Sequence, residues 1–170
     1  LLDPFTGEPL LDEKGEQLRI DAFDVEELDV SRDDRKNVRN AEILLRLSSN
    51  DRESRLAAVK KCGQPPRNLE SLPFLIEISL NDPDSKIRYT ARESVLLIQL
   101  TEDLPEVDLV QREKAAFALG EMKSLRAAPV FNELLKNDSN LPQVISDASK
   151  KSLKRIKRHQ WVVNNLGGII

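Results

Sequence analysis

The sequence predicts an all-α fold: a right-handed superhelix (solenoid) of short helical hairpins behind an extended acidic arm. Three observations lead there. Leu, Ala, Lys, Arg and Glu dominate, with 32% charged residues and only 4% aromatics, a mixture that favours helix over sheet. Short segments of helical apolar period alternate with polar turns rich in Asp, Asn, Pro and Gly. The block Asp82-Pro83-Asp84-Ser85-Lys86-Ile87-Arg88-Tyr89-Thr90-Ala91-Arg92 joins an acidic proline turn to an apolar residue, an arginine and a small residue at helical spacing. It returns in three variants, and units repeated in this way bury their apolar faces against their neighbours.

Residues 1–30 differ from the rest. They carry ten acids against Lys14 and Arg19, a balance of −8, so the other 140 residues sum to +5 within a net charge of −3. Asp3-Pro4-Phe5-Thr6-Gly7-Glu8-Pro9 is dense in turn formers, and a short hairpin pivoting near Gly15 fits the flanking leucines. Such a hairpin is marginal alone, so the segment reads as an extended or partly disordered acidic arm with Phe5, Phe23 and Leu28 as apolar anchors.

A helical repeat domain is expected over 31–160. Ser31 is placed to cap a first helix through Ala41, Leu44, Leu45 and Leu47, with Asp33 and Asp34 in its opening turn. Asp51 opens a second through Leu56, Val59 and Cys62, which stops near Gly63-Gln64-Pro65-Pro66. A third holds Leu72, Leu75, Ile76 and Leu80, and a fourth Ile87, Ala91, Val95 and Ile98. The fifth runs through Val110, Ala115, Ala118 and Leu119 to Gly120. The sixth holds Ala127, Val130, Leu134 and Leu135, and the seventh Ile145, Ala148, Leu153 and Ile156. Residues 161–170 are expected to form an apolar tail that covers the last repeat or enters a neighbouring subunit.

One frame repeats on the second helix of each hairpin: Arg55-x-x-Ala58, Arg88-x-x-Ala91, Arg112-x-x-Ala115 and, without the arginine, Ser146-x-x-Ser149. Small residues at one-turn spacing let neighbouring helices approach closely. The steps are 33, 24 and 34 residues. The short step leaves no room for a full helix before Asp108, so Leu100-Thr101-Glu102-Asp103-Leu104-Pro105 is expected to be a connector that offsets the stack. Ala115-Ala116-Phe117-Ala118-Leu119-Gly120-Glu121-Met122 with Ala127 to Asp138 resembles the HEAT repeat family, in particular the HEAT-like repeats of phycobilisome lyases. The resemblance spans roughly residues 40–158. It implies a HEAT-like α-α superhelix and, as a functional alternative, a bilin lyase or chaperone. An enzyme of that kind needs a tetrapyrrole groove, which Tyr89, Trp161 and five Phe line sparsely.

No catalytic set is expected. Asp82, Asp84 and Asp138 fall in turns, where Asp caps helices more often than it binds metal. The arginines of the frame read as partners of a turn aspartate or carbonyl of the adjoining repeat. Cys62, the sole cysteine, sits at an apolar frame position, and His159 has no second His or Cys to form a zinc site or dyad. Asn137-Asp138-Ser139 matches a glycosylation sequon but carries no weight without secretion. Neither a cofactor nor a metal is expected, no run spans a bilayer, and localisation stays open with the cytoplasm as the default.

On the last helix Ile145, Ala148, Ser149, Ser152, Leu153 and Ile156 share one side of a wheel of about 100° per residue. Lys150, Lys151, Lys154, Arg155, Lys157 and Arg158 share the other. A lysine-rich outer face keeps a terminal repeat soluble, yet the single sign also suits an anionic contact. Nucleic acid is disfavoured by a pI of about 5.4. The expected function is therefore a non-enzymatic protein-interaction module or scaffold subunit of a larger assembly. It would dock through its groove, Phe5, Phe23, Leu28, Trp161 and the basic helix, with self-association left open. Binding of an anionic surface through that helix is a second alternative.

Overall fold

The computed structural model describes residues 32–136 and 141–166, and among these every regular element is helical. The helices are α1 Arg32–Leu47, α2 Arg52–Cys62, α3 Leu72–Asn81, α4 Ser85–Thr101, α5 Leu109–Glu121, α6 Ala127–Lys136 and α7 Gln143–Leu166. A 3-10 turn, Leu69–Ser71, leads into α3. Each helix falls on a segment whose apolar period predicts it. The arm, with Phe5, Phe23 and Leu28, lies outside the described residues, as do Ser31 and Asp138. Contacts divide the chain into Leu1–Val38 and Arg39–Ile170, and the packing that follows is that of the second unit.

Aspartates start the helices. Asp51 accepts the Ser54 N–H at 2.7 Å, and Asp84 accepts those of Lys86 and Ile87 at 2.7 and 3.1 Å. Asp108 completes a capping box with Gln111, with bonds of 2.7 and 3.0 Å. Each bond satisfies an N–H that the helix interior cannot reach. The Ser54 bonds hold the Asp51 carboxyl below its usual range; Arg52 first, then the Ile87 N–H, do the same for Asp84.

The end of α5 departs from the expectation. Gly120 is not its stop, because the helix runs on to Glu121. The chain turns at Lys123, whose φ of 54° is the left-handed conformation that suits glycine. Its N–H reaches the Gly120 carbonyl and the Ser124 N–H the Leu119 carbonyl, both at 3.1 Å, the bond pair of a Schellman motif. Gly120 serves packing instead. A Cβ there would stand 2.5 Å from Ser152 Oγ and 2.9 Å from its Cα.

The helices that carry the repeated frame pack in a row, α2 on α4, α4 on α5 and α5 on α7, while α3 lies on α4 and α6 on α7. Two apolar clusters result. Leu56, Val59 and Cys62 meet Leu75, Ile87, Ala91 and Ile98 in the first, whereas Leu97, Leu100, Ala115, Leu119, Phe131, Ile145 and Ile156 form the second. α4 supplies both, and Ala91 and Ala115 are fully buried at its two seams. Burial raises the Cys62 thiol pKa, which leaves it a small apolar filler.

The expected connector begins later than predicted. α4 continues through Thr101, because Leu97 and Leu100 belong to the buried face of its last turns, and residues 102–108 alone link it to α5 without a helix. Leu104 in that link plugs the first cluster.

Two substitutions of opposite sign test these assignments. Ala115→Leu is expected to overpack the seam and lower stability by about 1–3 kcal/mol. Lys123→Gly is expected to raise it by about 1 kcal/mol, because the left-handed residue loses its Cβ strain. Denaturant melts of both read the result, and a neutral outcome would misplace the seam or the turn.

Candidate interaction surface

The repeated arginines fix the turns. Arg55 donates to the Ser49 and Asn50 carbonyls at 3.0 and 3.1 Å, and Arg88 to those of Asp82 and Pro83 at 2.6 and 3.1 Å. Both therefore clasp the turn before their own helix, five and six residues back, rather than a carbonyl of the adjoining repeat. Arg55 also pairs with Asp82, in the turn between α3 and α4, at 2.8 Å, so the expected contact with a turn aspartate is present. Asp82 is not an N-cap. Its buried carboxylate accepts Arg55 and the Asp84 N–H, and Asp84 does the capping. Arg112, behind the short step, reaches the Leu100 carbonyl at 3.1 Å instead, since no matching turn precedes it.

A buried ionic knot is absent from the sequence reading. Glu93, 5% exposed, accepts the Ser124 hydroxyl and Arg126 Nη1, the latter at 2.7 Å. The other Arg126 nitrogen donates to the Lys60 carbonyl at 2.9 Å, and Ser94 Oγ donates to the Val59 carbonyl at the same distance. Three stretches far apart in sequence are thereby tied together. The available signal was a lone acid inside the apolar run of α4, with an arginine in the turn before α6.

Beside this knot lies an open groove of about 290 Å³, lined by Gly63, Gln64 and Pro65, by Leu97 of α4, and by Arg126, Pro129, Val130 and Glu133 around α6. Its walls are chiefly apolar, with Gln64 and Glu133 exposed at the rim. The lining includes no aromatic side chain. The described residues hold no group of three or more His, Cys, Asp or Glu side chains placed to bind a metal.

α7 presents the second surface. Ile145, Ala148, Ser149, Ser152, Leu153 and Ile156 are buried, whereas Lys150, Lys151, Lys154, Arg155, Lys157 and Arg158 are all exposed. Arg155 pairs with Glu121, and Lys151 Nζ lies 5.9 Å from the Phe117 ring centroid. Among the described residues no carboxylate lies within 4.0 Å of the other cations or of Lys151.

The expected boundary before Trp161 is not a structural one. α7 runs unbroken to Leu166, with the Asn165 amide on the Trp161 carbonyl at 2.7 Å, because the first glycines come only at 167 and 168. From Gln160 to Asn165 every side chain is exposed, Trp161 at 61%, so none of these is buried against the other helices, and residues 167–170 of the expected tail lie outside the described residues. No helix among the described residues is long and apolar enough to cross a membrane. Compared with protein-family models, curated proteins and solved structures, the chain matches none.

The knot makes a sharp prediction. Arg126→Met strands a buried carboxylate and is expected to cost about 3 kcal/mol. Glu93→Leu with Arg126→Met is expected to cost less than Arg126→Met alone, because no buried charge remains unpaired. Additive losses in urea melts would show that the two side chains do not act as a pair.

Proposed function

We propose that this chain is a non-enzymatic, HEAT-like helical-repeat module that holds another protein as part of a larger assembly. One observation carries the reading: the open apolar groove between the Gly63–Pro65 turn, Leu97 and α6. Leu97 at its floor is buried, and Arg126 on its wall is hydrogen-bonded to Glu93 and the Lys60 carbonyl. A preformed apolar cleft with a polar rim suits one or two apolar side chains of a partner, with Gln64 and Glu133 offering hydrogen bonds around them. The row α2, α4, α5, α7, with α3 against α4 and α6 against α7, supports the HEAT-like assignment, since each helix packs on elements near it in the chain.

The tetrapyrrole alternative fits less well. The groove has no ring to stack on a bilin, and Phe131 is buried in the core while Trp161 stands at the far end of α7. Photo-crosslinking residues placed at Gln64 and Glu133 of the full chain test the proposal in the native lysate. The same protein is expected to be captured from both positions and not from exposed Glu53 on α2. Equal labelling at all three positions, or a new visible absorbance band on titration with a bilin, would overturn it.

A further inference from the structure

We propose that the cationic face of α7, with Trp161 at its end, receives the acidic segment 1–30 of a second copy of this chain. The inference deepens the binding-module reading by naming the occupant of a different surface, and its readouts do not involve the groove.

The face is built by register. Trp161 stands four residues after Lys157, three after Arg158 and seven after Lys154. At about 100° per residue it therefore lies over the lysine stripe and not over the buried side. Lys150, Lys151, Lys154, Lys157 and Arg158 are exposed, and among the described residues none has a carboxylate partner; only Arg155 has one, Glu121. From Lys150 to Trp161 the stripe is about 16 Å long at 1.5 Å per residue. Five cations in that length repel one another, and an anionic occupant would relieve the repulsion.

The chain itself contains the matching anion. Residues 21–29 hold Asp21, Asp24, Glu26, Glu27 and Asp29 with no cation. Phe23 and Leu28 are interspersed. Extended, the nine residues 21–29 span about 30 Å, so the stripe takes about five of them at a time, such as Asp24 to Leu28 with three carboxylates. The carboxylates would meet the lysines while one apolar anchor reaches the exposed indole. Electrostatics sets the approach and the anchor slows release.

Two other anions fit less well. The apolar side of α7 is already buried through Ile145, Leu153 and Ile156, so the helix has no apolar face to lay into a bilayer. Nucleic acid would meet one basic helix on a chain of net charge −3, and its phosphates would be repelled by the acidic segment.

Trp161 is the sole tryptophan, so its emission reports the site directly. In the full chain, sedimentation is expected to show concentration-dependent association, with Trp161 emission moving to the blue in step. Both should reverse near 1 M salt, where screening acts within about 3 Å. Lys150→Glu/Lys154→Glu/Arg158→Glu should weaken self-association by roughly tenfold or more, as should Asp21→Lys/Asp24→Lys/Glu26→Lys. The two triple variants mixed together should associate again, since each then offers what the other lacks. All six positions lie on exposed helix surface or in the acidic segment, and circular dichroism checks that the helices persist. A monomer at every concentration, or failure of the mixed variants, would sink the proposal. So would concentration-independent blue emission, which would mean that the chain fills its own face. A shift produced by duplex DNA or anionic vesicles but not by the protein's own concentration would also reject it.

Discussion

The close approach of helices at two small-residue contacts governs everything else in the folded body. At Gly63 an added Cβ would fall 2.6 Å from Ser94 Oγ, and at Gly120 it would fall 2.5 Å from Ser152 Oγ. At Gly120 α5 lies against the Ser152 backbone of α7, and at Gly63, the C-cap of α2, the near neighbours are the Ser94 side chain of α4 and the Arg126 guanidinium. That proximity lets Ser94 reach the Val59 carbonyl and Arg126 reach that of Lys60. Separating the helices by even an ångström would break those bonds and forfeit a large part of the dispersion energy along both seams. Gly63 and Gly120 are thus needed for space; the left-handed turn falls to Lys123.

Charge is sorted by the same geometry. Acids near the seams are buried and matched: Asp82 with Arg55, Glu93 with Arg126. A buried pair adds little net stability, because desolvation offsets most of the attraction. Its effect here is to fix register, since a one-turn slip of α4 would carry Glu93 away from both Ser124 and Arg126. On α7 the cations are left on the outside, where hydration keeps them at little cost.

The sequence made the helices legible because their apolar period, aspartate caps and proline turns agree with one another at every junction. The frame Arg55, Arg88, Arg112 also located the helices that pack in a row. Signals with two meanings were harder to read. Gly120 carries both the mark of a helix stop and that of a close contact, and only the position of Ser152, some thirty residues later, separates them. Trp161 looked like the start of a tail because it opens an apolar run, yet no breaker stands before Gly167. Of the candidate surfaces, the basic face of α7 followed from one helix wheel. The groove and the Glu93–Arg126 knot did not, because both are assembled from α4 and the segments around Gly63 and α6, and their proximity exists only after packing.

Length arithmetic explains why the end of α7 stands out. α7 has 24 residues, whereas its packing partners α5 and α6 have 13 and 10. At 1.5 Å per residue α7 exceeds α5 by about 16 Å, roughly three turns that α5 cannot cover. Burial indeed ceases at Ile156, and every described side chain past His159 is exposed. An overhang that needed only solubility would carry charged residues and no apolar ones. This one places exposed Trp161, Val162 and Val163 on the overhang, each about 100° from the last, with Trp161 on the cationic side. Of these only Trp161 stands among the cations, and an indole in that position is favourable against an anionic, partly apolar chain. That combination is what directs the functional reading of α7 toward a peptide and away from a purely solvated face.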